Sequence, residues 1–105
     1  MAAEPELTVA ADPVGHIVKT KDVVGGKARI AGTRIRVMDV VVWYEQARWP
    51  VKRILKNYPS ITTADVYAAL AYYHDNRDEI EAEFAADERC EAEFRRDHPD
   101  SVLDV

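Results

Sequence analysis

Residues 49–73 read WPVKRILKNYPSITTADVYAALAYY. Pro50 has a fixed φ and no N–H to satisfy, which suits the first position of a helix. In that helix Ile54 and Leu55 turn inward, and Lys52, Arg53 and Lys56 turn outward. Asn57-Tyr58-Pro59-Ser60 ends it, because the residue before a proline avoids helical backbone. Thr62-Thr63-Ala64-Asp65 starts the next helix: Thr62 caps it, and Asp65 is the shorter form of the capping-box acid. The apolar stripe runs Val66, Leu70, Tyr73 and, past polar Arg77, on to Ile80 and Phe84, at spacings that keep one face. No glycine or proline interrupts Ser60 to His98. One long helix, or a helix bent near Asp75-Asn76, is therefore expected, with Pro99 blocking its far end. Two short helices joined by a tight turn, the second well capped, outline a helix-turn-helix.

Upstream, Met38 to Arg48 is ambiguous. The Val40-Val41-Val42 run favours strand. Asp39 in a first turn and the helix formers Glu45-Gln46-Ala47-Arg48 favour helix, and helix is the expectation. Before it, KARIAGTRIRV (27–37) alternates as a short hairpin. Ile30, Ile35 and Val37 share one side, and Arg29, Arg34 and Arg36 the exposed other. Gly32 in the Ala31-Gly32-Thr33 turn is free to take positive φ. Gly25-Gly26 makes another turn, and His16 to Val23 can hold a further strand. Residues 1–13 hold little that can be buried and read as a flexible lead.

Charge divides the chain. Between Val14 and Ile61, ten basic residues face only Asp22, Asp39 and Glu45, a net of +7. From Thr62 to Val105, four arginines face thirteen carboxylates, a net of −9. The overall −5 conceals this split. It points to a polyanion as partner for the front and something basic for the back. The single cysteine, Cys90, excludes an internal disulfide and indicates a reducing cytosol. No apolar run approaches a membrane span. At 105 residues one domain is expected, with a core small enough to gain from dimerisation.

For the basic front, phosphate binding needs cations on a rigid scaffold. Arg29, Arg34, Arg36, Lys52, Arg53 and Lys56 meet that need, with Thr62 and Thr63 at the start of the third helix. The blander alternative is a solvated face with scattered ion pairs. The third helix opens without Arg, Lys, Asn or Gln, the side chains that read base edges best. Contact from the hairpin and second helix, or readout of shape, is then expected. In the acidic back, Ile80, Phe84 and Phe94 with Glu88 and Glu91 form an amphipathic segment fit for a groove on a basic partner; a solvated helix is the alternative.

Other features carry less. Gly25-Gly26-Lys27 lacks the spacing of a P-loop and is a turn. His16, His74 and His98 are far apart; His74 and Asp78, one turn on, are the nearest thing to a metal pair, and no metal or cofactor is expected. Cys90 sits among acids that oppose a thiolate. Trp43 and Trp49 belong to the core or a dimer contact, with stacking on a ligand the lesser reading. No nucleophile, base and orienting group assemble, so no enzyme is expected.

The stretch VVGGKARIAGTRIRVMDVVVWYEQARWPVKRILKNYPSITTADVYAALAYYHDN (23–76) resembles the bacterial domain of unknown function 433, an antitoxin-like family of the VapB type. The likeness lies in Gly25-Gly26-Lys27, Gly32-Thr33-Arg34-Ile35, Asn57-Tyr58-Pro59, Thr62 to Asp65, and Ala69-Leu70 with Tyr72-Tyr73. Their order and spacing carry it together. It implies a dimeric, homeodomain-like helix-turn-helix, commonly encoded beside a PIN-like ribonuclease toxin and regarded as its antitoxin. The family usually has Gly and a small polar residue before the proline, where this chain has Arg48-Trp49.

The expected fold is mainly α: a flexible N-terminus over 1–13, a short β-hairpin followed by a three-helix homeodomain-like helix-turn-helix, together over 14–76, and an extended acidic C-terminal helix or tail over 77–105. The expected function is a DNA-binding, autorepressing antitoxin whose acidic segment neutralises the toxin. A protein-interaction module that touches no DNA is the alternative.

Overall fold

A computed structural model describes residues 8–97. His98, the Pro99 stop and the acidic positions on to Asp104 lie outside the described residues. The elements run β1 (Thr8–Ala10), β2 (Ile17–Thr20), a 3-10 turn (Val24–Gly26), β3 (Arg29–Ile30), α1 (Val37–Val41) continuing as a π-helical turn (Val42–Gln46), α2 (Val51–Asn57), α3 (Thr63–Asp75) and α4 (Arg77–Asp97). The fold is mainly α with a small antiparallel sheet of order β1-β2-β3, as the sequence led one to expect.

The sheet has three strands, one of them, β1, beyond those expected. In the stretch expected to be a flexible lead, Thr8–Ala10 pairs with β2, Thr8 opposite Thr20 and Ala10 opposite Val18. The Thr8 and Thr20 hydroxyls hydrogen-bond at 2.7 Å. Asp12 Oδ1 turns the chain between these strands, accepting the Gly15 and Ile17 N–H groups at 2.8 and 3.0 Å. The hairpin turn falls where expected: Gly32 has φ +77° and the Ile30 N–H donates to the Ile35 carbonyl at 2.8 Å. Its second arm shrinks to one bridge, Arg29 with Arg36. Asp39 is the cause. Its Oδ2 takes the Arg36 N–H at 2.9 Å and starts α1 at once.

The Val40-Val41-Val42 run is helical, and burial explains why: Val40 and Val41 are core residues, so packing overrides strand propensity. The helix then widens, with the Ala47 N–H reaching back five residues to Val42. Arg48 follows at φ +61°, a left-handed conformation that glycine adopts more easily. Pro50 caps α2 from outside, at ψ 154°, rather than occupying its first turn. The capping box of α3 is as expected: Asp65 N–H to Thr62 Oγ1 at 3.1 Å and Thr62 N–H to Asp65 Oδ2 at 2.9 Å.

The helical run breaks at Asn76 (φ −135°), whose side chain donates to the Tyr72 carbonyl at 3.0 Å. α4 then folds back so that Ile80 is fully buried and Phe84 packs on the core. The core is Ile17, Ile30, Val37, Val40, Val41, Ile54, Val66 and Ile80, each contributing about 1.5–3 kcal/mol by leaving water. The folded unit therefore continues past Asn76 into α4.

Candidate nucleic-acid interface

The cations expected on one exposed face divide into three groups. Arg29 corrects the alternation reading: it is only 6% exposed. Its guanidinium donates to Thr20 Oγ1 at 2.7 Å and to the Thr33 carbonyl at 3.1 Å. Thr20 is itself buried where β1 pairs with β2, so Arg29 belongs to an internal network in which its Nε has no partner among the described residues.

A second group meets carboxylates. Arg36 donates to Asp39 through Nε and Nη2, at 3.1 and 2.8 Å. Lys19 lies 2.9 Å from Glu79, and Lys27 lies 3.4 Å from Asp87. Glu83, between those two acids on α4, is half-buried, with Oε1 buried and unbonded among the described residues. Burial, then Glu79, pushes its carboxyl up to about 7 against Lys27, Lys19 and Arg36. Cations and anions are thus interleaved along the first turns of α4, and the complete segregation implied by the sequence does not hold there.

The third group remains exposed. Lys52, Arg53 and Lys56 stand on the outward face of α2, joined by Arg48 on the turn before it. Among the described residues no ion pair involves any of these four. Lys52, Arg53 and Lys56 line a groove of about 450 Å³ with Pro50 and Asn57; Arg48 lies outside its lining. Arg34 is exposed apart from them, on the hairpin. Sequence reasoning placed Arg48 in the basic block but not at the site; it lies on the turn between two helices, where no periodicity signals its neighbours.

Beside this group rises the outer face of α3. Thr62 is committed to the cap, Thr63 and Ala64 are exposed, and Tyr67 is 53% exposed. The Asp65 carboxylate also accepts from or pairs with His16 Nδ1 at 2.8 Å, fixing the start of α3 to the sheet. Burial opposes the Asp65 charge, but the hydrogen bonds from Thr62 and His16 outweigh it and hold its pKa below the ordinary aspartate value. His74 does not pair with Asp78; it meets Glu45 at 2.8 Å and Arg77 at 3.3 Å.

On α4 the expected partner-facing residues also divide. Ile80 is wholly inside the core and Phe84 half so; the return of the chain at Asn76 turns that part of the stripe onto the domain. Glu88, Glu91 and Phe94 are exposed, on the part of α4 beyond Asp87, where every residue to Asp97 is exposed.

A small mainly helical domain with an N-terminal antiparallel sheet, a capped third helix and a cationic second helix is the class defined by these features. The family described as "Protein of unknown function (DUF433)" matches residues 17–73. That is more than half of the 105 residues, and the chain belongs to this family. A solved structure, the crystal structure of a DUF433 member protein from Anabaena variabilis ATCC 29413, is similar at 44% identity and a TM-score of 0.62, over 67% of this chain and 68% of that one. No curated protein matches. The α2 cations fall inside the matched region, and α4 falls outside it. Among the described residues no helix is long and apolar enough to cross a membrane.

Proposed function

We propose that the chain is the antitoxin of a toxin–antitoxin pair: a homodimeric DNA-binding autorepressor whose distal acidic helix neutralises a PIN-like ribonuclease, working in the cytoplasm. The observation that carries the DNA half is the cluster Arg48, Lys52, Arg53 and Lys56, exposed and unmatched by carboxylates among the described residues. In a helix-turn-helix the first of the paired helices lies on the phosphate backbone, which is the place of α2. Thr63, Ala64 and Tyr67 on α3 offer small apolar and hydroxyl contacts rather than bidentate base reading, so affinity comes mainly from phosphate.

The toxin half is supported by α4, which carries nine carboxylates against four arginines over Arg77–Asp97; on its outer part Glu88 and Phe94 are exposed, and so is Glu91, which pairs with Arg95 at 3.2 Å. A ribonuclease that holds RNA needs a basic groove, and an acidic helix carrying an aromatic anchor complements such a groove. The test is inhibition: the ribonuclease encoded beside this chain, assayed on RNA, should lose activity at stoichiometric addition of it. Undiminished cleavage removes the toxin half.

The bare outer face of α3 favours a second reading, a module that binds an acidic protein through α2 and no nucleic acid. Salt-insensitive behaviour toward DNA, with capture of an acidic partner, distinguishes it.

A further inference from the structure

Four side chains around the α1–α2 turn form one column. The Tyr58 and Trp43 rings stack at 4.2 Å between centroids and 14° between planes. Trp49 continues the stack on Trp43 at 6.2 Å and 11°. The Arg53 guanidinium lies over Trp49, 4.3 Å from the ring centroid. The Trp49 N–H donates to the Trp43 carbonyl at 2.8 Å, so the turn is tied to the helix beneath it.

This arrangement gives a long, flexible side chain one orientation before any ligand arrives. An arginine ordered only on binding loses rotamer freedom at that moment, and one already braced loses less. The guanidinium carbon lies over the Trp49 ring, and among the described residues none of the guanidinium N–H groups is hydrogen-bonded, so they are left for an oxyanion, the kind of ligand for which arginine exceeds lysine. No carboxylate among the described residues pairs with Arg53. Lys52 and Lys56 line the same groove. The backbone adds a sign of its own: Arg48 holds φ +61° at the entrance to the turn, the kind of strain that collects at binding sites.

The column also discriminates between ligands. A platform for unpaired bases needs an open ring face at its end. Here one end is a guanidinium, which offers charge and N–H groups, and the other is Tyr58, a half-buried ring packed against the core. We propose that Arg53, braced by Tyr58, Trp43 and Trp49, is the fixed member of a phosphate clamp completed by Lys52 and Lys56, and that its ligand is the phosphodiester backbone of duplex DNA. The clamp rests on the DNA half of the proposed function and assigns it a site.

The experiment uses the full chain and a labelled mixed-sequence duplex, read by fluorescence anisotropy at fixed salt. Arg53→Lys keeps the charge and loses the planar fork; Trp49→Leu keeps every cation and loses the brace. Each should weaken binding by roughly five- to tenfold. The double variant should be little weaker than either single one, because both remove the same device. Arg53→Lys is a surface change and tests the clamp even where Trp49→Leu unfolds. If Arg53→Lys binds as wild type while Lys52→Ala and Lys56→Ala bind more weakly, the clamp is wrong and DNA binding stands as a matter of charge alone. Tighter binding of a single strand than of the duplex, lost in Trp49→Leu, makes the rings a base platform and overturns the clamp. A wild-type chain that binds no duplex at low salt removes the clamp and the DNA half together.

Discussion

Lys27 Nζ lies 3.4 Å from Asp87 Oδ1, joining the turn before β3 to the middle of α4 across a separation of 60 residues. With Lys19 on Glu79, and Glu83 between the two acids, it lays one carboxylate per turn of α4 along a basic rim. Part of the charge division in the sequence is therefore spent inside the fold. The cationic surplus left for other molecules is concentrated on α2; beyond Asp87, α4 sets four carboxylates against three arginines up to Asp97, with Glu91 paired to Arg95 at 3.2 Å, so its exposed end is mixed in charge.

Truncation after Asp87 should separate the two roles. Ile80, Phe84 and Asp87 remain, so the melting curve should move little and duplex binding should persist. On the proposed function, binding to a PIN-like ribonuclease toxin should be lost. Inhibition retained by the truncated chain would move the toxin contact onto the domain.

Glu83 should give stability a downward slope with pH. Its folded carboxyl titrates at about 7, above the ordinary glutamate value, so the folded state holds the extra proton between the two. Stability from this group is complete below the unfolded value and lost as pH rises through the folded one. Glu83→Gln should flatten that slope and exceed wild type at about pH 8, with little difference near about pH 4. Urea midpoints across that range decide it; parallel curves for the two proteins would show that Glu83 does not feel its surroundings. Asp65 has the opposite sign: its contribution is present above the ordinary aspartate value and lost as pH falls through its lowered one.

Arg29→Ala should destabilise the fold without touching binding. It removes two charge-assisted hydrogen bonds from a buried network, a loss of about 2 kcal/mol. For a domain of this size that lowers Tm by roughly 8–16 °C. At a temperature where the variant is folded, duplex affinity should equal that of wild type; weaker binding there would return Arg29 to the interface.

Arg48→Gly and Arg48→Ala should part company in stability and agree in affinity. Both lose the cation, and both should bind duplex more weakly. Only glycine relieves the left-handed backbone at φ +61°, so it should be the more stable by about 1 kcal/mol. Equal unfolding midpoints would place no strain at this turn.

Local chemistry was legible in the sequence. Thr62 and Asp65 announce the start of α3 because both partners of the capping box lie within three residues, and Gly32 marks its turn because positive φ is a property of one residue. What depends on distant chain was not. Arg29 alternates like a surface residue, yet it is buried, its guanidinium bonded to Thr20 Oγ1 and the Thr33 carbonyl. Ile80 has the spacing of an exposed anchor until the break at Asn76 folds α4 back. The widened turn at Val42–Gln46 and the stacking of Trp43, Trp49 and Tyr58 arise from packing between α1 and α2, which no pattern along the chain records. The α2 cations were legible as a group; that Lys19, Lys27 and Arg36 would not join them was not.

Whether α2 holds phosphate is read most directly from the salt dependence of duplex binding. For the full chain, log affinity should fall steeply and linearly with log salt. In the combined variant Lys52→Ala, Arg53→Ala, Lys56→Ala the slope should be smaller by about 2.7, the share of three phosphate contacts. A shallow slope in the wild-type protein, or a steep one that the combined variant leaves unchanged, would contradict the assignment of α2 to nucleic acid.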